Sequence, residues 1–91
     1  MTEQFQLCIV IPCYNEEKRL NTTRISSFLK TQKNVLLCFV NDGSNDNTLK
    51  ILHKIKAVFP DTIEVISMDK NSGKAETVRS GVLHSKENFN F

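Results

Sequence analysis

The sequence predicts an α/β fold built on a parallel sheet, and three observations carry that prediction. Apolar runs and amphipathic stretches alternate three times along the 91 residues. The first two runs, Leu7–Ile11 and Val35–Val40, are apolar at every position, the pattern of strands buried on both faces. Each run then stops at a polar loop: Pro12-Cys13-Tyr14-Asn15-Glu16, Asn41-Asp42-Gly43-Ser44, and Asp69–Gly73. In a parallel α/β sheet such loops open onto one carboxyl edge, where ligands bind.

Taken in order, Leu7–Ile11 is the first strand, with Pro12 expected to end it. Lys18–Thr31 places Leu20, Ile25, Phe28 and Leu29 near helical spacing, and Thr22 or Thr23 can interrupt or re-cap that helix. Val35–Val40 is the second strand. Asp46 or Asn47 suits the cap of the next helix, whose stripe is Leu49, Leu52, Ile55 and Phe59, ended by Pro60. Ile63–Met68 is the third strand, and Ala75, Val78 and Val82 are expected to be the buried stripe of a third helix.

The pattern βαβαβα implies right-handed crossovers and a three-layer, Rossmann-like half-sheet. Its strand order is 3-2-1 if successive strands pair outward from the first. The first strand then has one unpaired apolar edge, so self-association through that edge is expected. Residues 1–91 accordingly read as a single partial domain of something larger.

Composition excludes several classes. Hydrophobic content of 40% and charged content of 24% are ordinary for a soluble globular protein. A net charge of +2 with no Lys/Arg block argues against nucleic acid as a partner. No run approaches the roughly 20 apolar residues of a membrane helix, and Leu7–Ile11 is short for a signal-peptide core. Cys8, Cys13 and Cys38 match no zinc spacing, and His53 and His84 are far apart and lack nearby Cys or His. Reduced thiols and a cytoplasmic location follow as the simple expectation.

At the shared loop edge, two acidic loops and an aromatic ring suit a nucleotide pocket. Tyr14 either stacks on a base or packs under its own loop. Glu16 either accepts from ribose hydroxyls or favours the start of the first helix. Asp42 either accepts an N–H from a base, with Gly43 allowing close backbone approach, or forms a plain Asp-Gly-Ser turn. Lys74 stands at a helix start, where backbone N–H groups attract anions. Arg79 follows the expected buried stripe, near the boundary of core and surface, with a solvated side chain as the alternative. Asn71-Ser72-Gly73 is not the dinucleotide fingerprint, and no P-loop or nucleophile elbow occurs.

The segments IVIPCYNEE, FVNDGSNDNT and NSGKAETVRSG, in this order, closely resemble the opening of family-2 inverting glycosyltransferases of GT-A fold. The branch they look most like makes polyprenyl-phosphate sugars, such as dolichyl-phosphate glucose or mannose. The resemblance runs from Leu7 to about Ser85. It implies that Pro12, Tyr14, Asn15 and Glu16 form the first nucleotide-contacting loop and that Asp42 recognises the base. It also implies that Lys74 and Arg79 are the basic positions of the third motif, the latter near the base or diphosphate. Two departures stand out: Asn41 where the family often has Asp, and Cys13 where a small or hydroxyl residue is common.

The resemblance further implies a UDP- or GDP-linked sugar as donor, with inverting transfer of a hexose to a polyprenyl phosphate or glycan acceptor. A divalent metal, Mg or Mn, is expected in the complete enzyme, held by an Asp-x-Asp motif that these residues do not include. The general base and acceptor site are likewise expected elsewhere, so the 91-residue chain alone is expected to be inactive. The full-length protein is expected at the cytoplasmic face of a membrane. The rival is a non-catalytic α/β nucleotide-binding or protein-interaction module. A receiver-like version fits poorly, because no second acidic pair follows the first strand directly.

Overall fold

The computed structural model describes residues 5–70 and 73–88, with the side chains of residues 74 and 86–88 outside that description. The elements are β1 (Leu7–Cys13), α1 (Thr22–Thr31), β2 (Val35–Asp42), α2 (Thr48–Val58), β3 (Ile63–Met68) and α3 (Lys74–Asn88). All strand pairs are parallel and the order is β1-β2-β3, as the alternating pattern predicts. Cys13 pairs with Asn41 and Asp42 with Met68, so the three strands end at one edge.

β2 is the middle strand and is buried at every position. β1, expected to be buried on both faces, instead runs from an exposed Leu7 to a buried Cys13. Among the described residues β2 is its one strand neighbour. Nor does Pro12 end β1 as expected: it stays in register with Val40, and the strand runs on to Cys13.

Residues alternating along β2 serve two different layers. Val35, Leu37 and Phe39 join Cys13, Ile63, Leu29 of α1, and Leu52 and Ile55 of α2 in one apolar core. Full burial of each large side chain there contributes about 1.5–3 kcal/mol. Leu36, Cys38 and Val40 point to the other face, beneath α3.

α1 starts four residues later than expected. Asn21 caps it, its side-chain oxygen accepting the Arg24 N–H at 3.0 Å, while residues 16–20 form a turn closed onto the Glu16 carbonyl. Leu52 and Ile55 of α2 are buried, as its stripe predicts. The expected stripe of α3 is corrected. Val82 is 49% exposed, and the buried positions are Thr77, Gly81 and Ser85. Spaced by four, these small residues let the helix lie close on the sheet. A Cβ built at Gly81 would stand 2.5 Å from Val10 Cγ1 and 2.9 Å from Val40 Cγ2.

Candidate functional site

The β1–α1 and β2–α2 loops are bound to one another at the carboxyl edge. Asn15 takes a left-handed backbone, φ 52°, which Asn tolerates better than most residues. Its N–H donates to Ser44 Oγ at 2.9 Å, and its Oδ1 accepts the Asn45 N–H at 2.8 Å. One residue on, the Glu16 N–H donates to Thr48 Oγ1 at 2.8 Å. The Glu17 N–H reaches Asp46 Oδ2 at 3.3 Å, and the Glu17 carboxylate accepts both the backbone and side-chain N–H of Asn47, at 3.2 and 3.1 Å.

Asp46 has the capping role its position predicts. Its Oδ1 accepts the Thr48 N–H at 2.9 Å and also the Thr48 hydroxyl. These bonds, the Thr48 hydroxyl first, hold the exposed Asp46 carboxyl below its ordinary pKa. Gly43, with φ 68°, supplies the left-handed turn that lets the chain leave β2 and start this loop.

The expected site residues are not equally placed. Tyr14 follows Cys13 at the end of β1 and is 43% exposed, its ring available at the edge. The Asn15 side chain is committed to the neighbouring loop. The Glu16 carboxylate takes a charge-assisted bond from Arg19 at 2.6 Å, so its nearest partner is the turn ahead of α1. Pro12 lies within β1.

Asp42 closes β2 on the α3 side of the sheet. It is 4% exposed, and its Oδ2 accepts the Gly73 N–H at 3.2 Å. An Asp42 lying open in a crevice is therefore not what the fold presents. The carboxylate sits in the seam between the end of β2 and the start of α3. Lys74 opens α3 immediately after Gly73, which puts its backbone beside this seam; its side chain lies outside the described residues.

Arg79 does not join the group. At 100° per residue it stands almost opposite the buried Thr77, Gly81 and Ser85, and about 9 Å along the axis from Gly73. Its guanidinium is mostly exposed and pairs with Glu76 at 3.4 Å. One groove starts at this edge, at Asp46 and Asn47, and runs along α2 past Leu49, Lys50 and His53. Another lies away from the edge, between α1 and α2 along Leu20, Ile51, Ile55 and Val58.

Sequence reasoning missed Ser44, Thr48, Glu17 and Asn47 as members of this edge. The signal was present as hydroxyl and carboxylate residues at alternate positions after Asp42-Gly43, which suits side-chain-to-backbone bonding across loops. Asn41, also buried, donates from Nδ2 to Ser67 Oγ at 3.1 Å and so ties the ends of β2 and β3 together. Burial, with a smaller contribution from Glu16, pushes the Cys13 thiol up to about 11, so it is an inert packing group here. Among the described residues no three His, Cys, Asp or Glu side chains group to hold a metal, so the described residues do not fit a divalent-ion site.

Fold and edge together define a Rossmann-like parallel α/β unit whose polar loops gather where such sheets bind ligands. Residues 8–89 match the model of glycosyl transferase family 2. The chain belongs to that family. It is 37% identical over 90 residues to the dolichyl-phosphate beta-glucosyltransferase of Homo sapiens, covering 89% of this chain and 28% of that relative. It is 32% identical over 91 residues to an uncharacterized glycosyltransferase, YkcC, of Bacillus subtilis, covering 97% of this chain and 28% of that protein. The chain thus spans little more than a quarter of these relatives.

A mannosyltransferase from Pyrobaculum calidifontis, solved in complex with GDP-Man and Mn2+, shares the fold with a TM-score of 0.74 at 17% identity. The match covers 91% of this chain and 25% of that one. No helix among the described residues is long and apolar enough to cross a membrane.

Proposed function

We propose that the chain is the donor-nucleotide part of an inverting glycosyltransferase that uses a UDP- or GDP-linked hexose. The observation that carries this is the family match over residues 8–89, which includes the two loops that the structure binds together at the carboxyl edge. A polyprenyl phosphate is the proposed acceptor, supported by the 37% identity to dolichyl-phosphate beta-glucosyltransferases. The three free cysteines suit a catalytic domain on the cytoplasmic side.

In this proposal Tyr14 lies along the base or sugar ring from the exposed end of β1, and Asp42 accepts an N–H from the base. Gly73 already donates to Asp42 Oδ2, and in this proposal the base N–H comes to the same oxygen and shares or displaces that bond. Nucleotide binding is thereby coupled to the start of α3, where Lys74 meets the diphosphate. Glu16 meets the ribose by exchanging its Arg19 partner. The acceptor oxygen attacks the anomeric carbon in line, from the face opposite the nucleotide, as the bond from that carbon to the diphosphate oxygen breaks and the nucleoside diphosphate leaves with the electron pair. These residues contribute by fixing the donor, and positioning of this kind supplies a large share of catalysis. We assign the general base, the acceptor site and the metal ligands to residues outside those described, and the 91-residue chain alone is expected to transfer no sugar.

Titration of the full-length protein with UDP, GDP and their hexose derivatives tests the proposal. Saturable binding should be weakened by Tyr14→Ala, and binding should change amide exchange at Gly73. A folded protein with no nucleotide-dependent change in either measurement would instead be the non-catalytic interaction module.

A further inference from the structure

We infer that Ser44, Asp46 and Thr48 are positioning residues of the donor site, a clasp that sets the backbone of the Tyr14–Glu17 loop; this inference rests on the function proposed above. Thr48 is the centre of it. Its side chain is fully buried although it opens a surface helix, so its hydroxyl has a fixed set of neighbours. The hydroxyl proton goes to Asp46 Oδ1, which turns the oxygen lone pairs toward the Glu16 N–H, 2.8 Å away. The other oxygen of Asp46 receives the Glu17 N–H, and Ser44 receives the Asn15 N–H. Three consecutive amides of the first loop are thus held by alternate side chains of the second.

The grip falls where the loop most needs it. Asn15 adopts a left-handed backbone immediately after Tyr14, a conformation sparsely populated even for Asn, and it persists where surrounding bonds hold it. Released from the clasp, residues 14–17 gain access to ordinary backbone conformations, and Tyr14 and Glu16 lose their fixed relation to the end of β2. None of the three clasp residues is assigned a contact with the nucleotide. They act through the loop they hold, so their loss should appear as weaker donor binding from a folded protein.

Thr48→Val and Thr48→Ser in the full-length protein separate this role from general stability. Val keeps the shape and removes the acceptor, whereas Ser keeps the hydroxyl. Amide exchange at Glu16 in the free protein and calorimetric titration with GDP and UDP are the two readouts. In wild type and Thr48→Ser the Glu16 amide should be protected and affinity the same. In Thr48→Val exchange at Glu16 should rise and affinity should fall about tenfold, the scale of one buried hydrogen bond left unmade.

Should Thr48→Val not fold, Ser44→Ala should show the same pair of effects at Asn15, an exposed position. Unchanged affinity in a folded variant with an opened loop overturns the inference, and so does continued protection of the Glu16 amide in Thr48→Val. Failure of wild type to bind either nucleotide overturns the donor assignment itself and the positioning role with it. Glu16 exchange then still shows whether the clasp exists, which keeps the two failures distinct.

Discussion

The two faces of the sheet are packed by opposite means. On the α1–α2 face, large side chains fill the space: Phe39, Leu37, Leu52, Ile55 and Leu29 interdigitate in one apolar core. On the α3 face the helix contributes Thr77, Gly81 and Ser85, and closeness replaces bulk. One face gains stability by removing apolar area from water. The other depends on shape, and a single methyl group is enough to disturb it. The carboxyl edge lies where the faces meet, with its loops joined to the first and its Asp42–Gly73 seam belonging to the second.

The largest expected effect is on the apolar face. Leu52→Ala, at a fully buried position, should lower unfolding free energy by about 2–5 kcal/mol in denaturant titration. A loss below that range would mean that the α1–α2 core collapses around the cavity. Next comes the close face. Gly81→Ala adds the methyl that meets Val10 and Val40, and overpacking should cost about 1–3 kcal/mol in the same titration. A neutral result would show that α3 slides away from the sheet at no cost, and the contrast between the faces would fail.

Both faces bury a thiol, and alkaline pH probes them together. Burial raises Cys13 and Cys38 from 9.0 to about 11, with Ser85 opposing the shift at Cys38. A raised pKa in the fold means that the unfolded chain loses the proton first. Stability is therefore full below pH 9 and should fall between pH 9 and pH 11, by about 2 kcal/mol per thiol. Replacing both with Ala should shallow that fall in melting curves recorded across the window.

The smallest effects sharpen the outline of α3. Val82→Ser, at a half-exposed site, should change stability by less than about 0.5 kcal/mol. A large loss would restore the apolar stripe that the structure rejects. Arg79→Ala breaks only an exposed pair, worth at most about 1 kcal/mol, and should leave GDP and UDP affinity unchanged in titration. A clear loss of affinity would place Arg79 at the donor after all.

This same contrast explains what could be read from the residues alone. Leu49, Leu52 and Ile55 announce α2 because an apolar stripe at helical spacing is a local property of the sequence. Val35–Val40 likewise announces a strand covered on both sides. The α3 face misleads because Ala75, Val78 and Val82 satisfy the same rule without being buried. The residues that do touch the sheet are small and carry no apolar signal. At the carboxyl edge, the placement of Tyr14 and Asp42 at strand ends is legible, but the cover over Asp42 and the outward turn of Arg79 are not. Nor is the clasp, whose partners stand 29 to 32 residues apart.

By itself, the sequence determined the order of elements, the parallel sheet and the gathering of polar loops at one edge. Those follow from periodicity and connection rules that act over short stretches. Only the tertiary structure decided which side of α3 meets the sheet, how the first two loops are joined, and that Asp42 is shared with Gly73. Each of these depends on the shape and hydrogen-bonding capacity of a distant partner, and a transfer free energy summed along the chain carries no record of that partner.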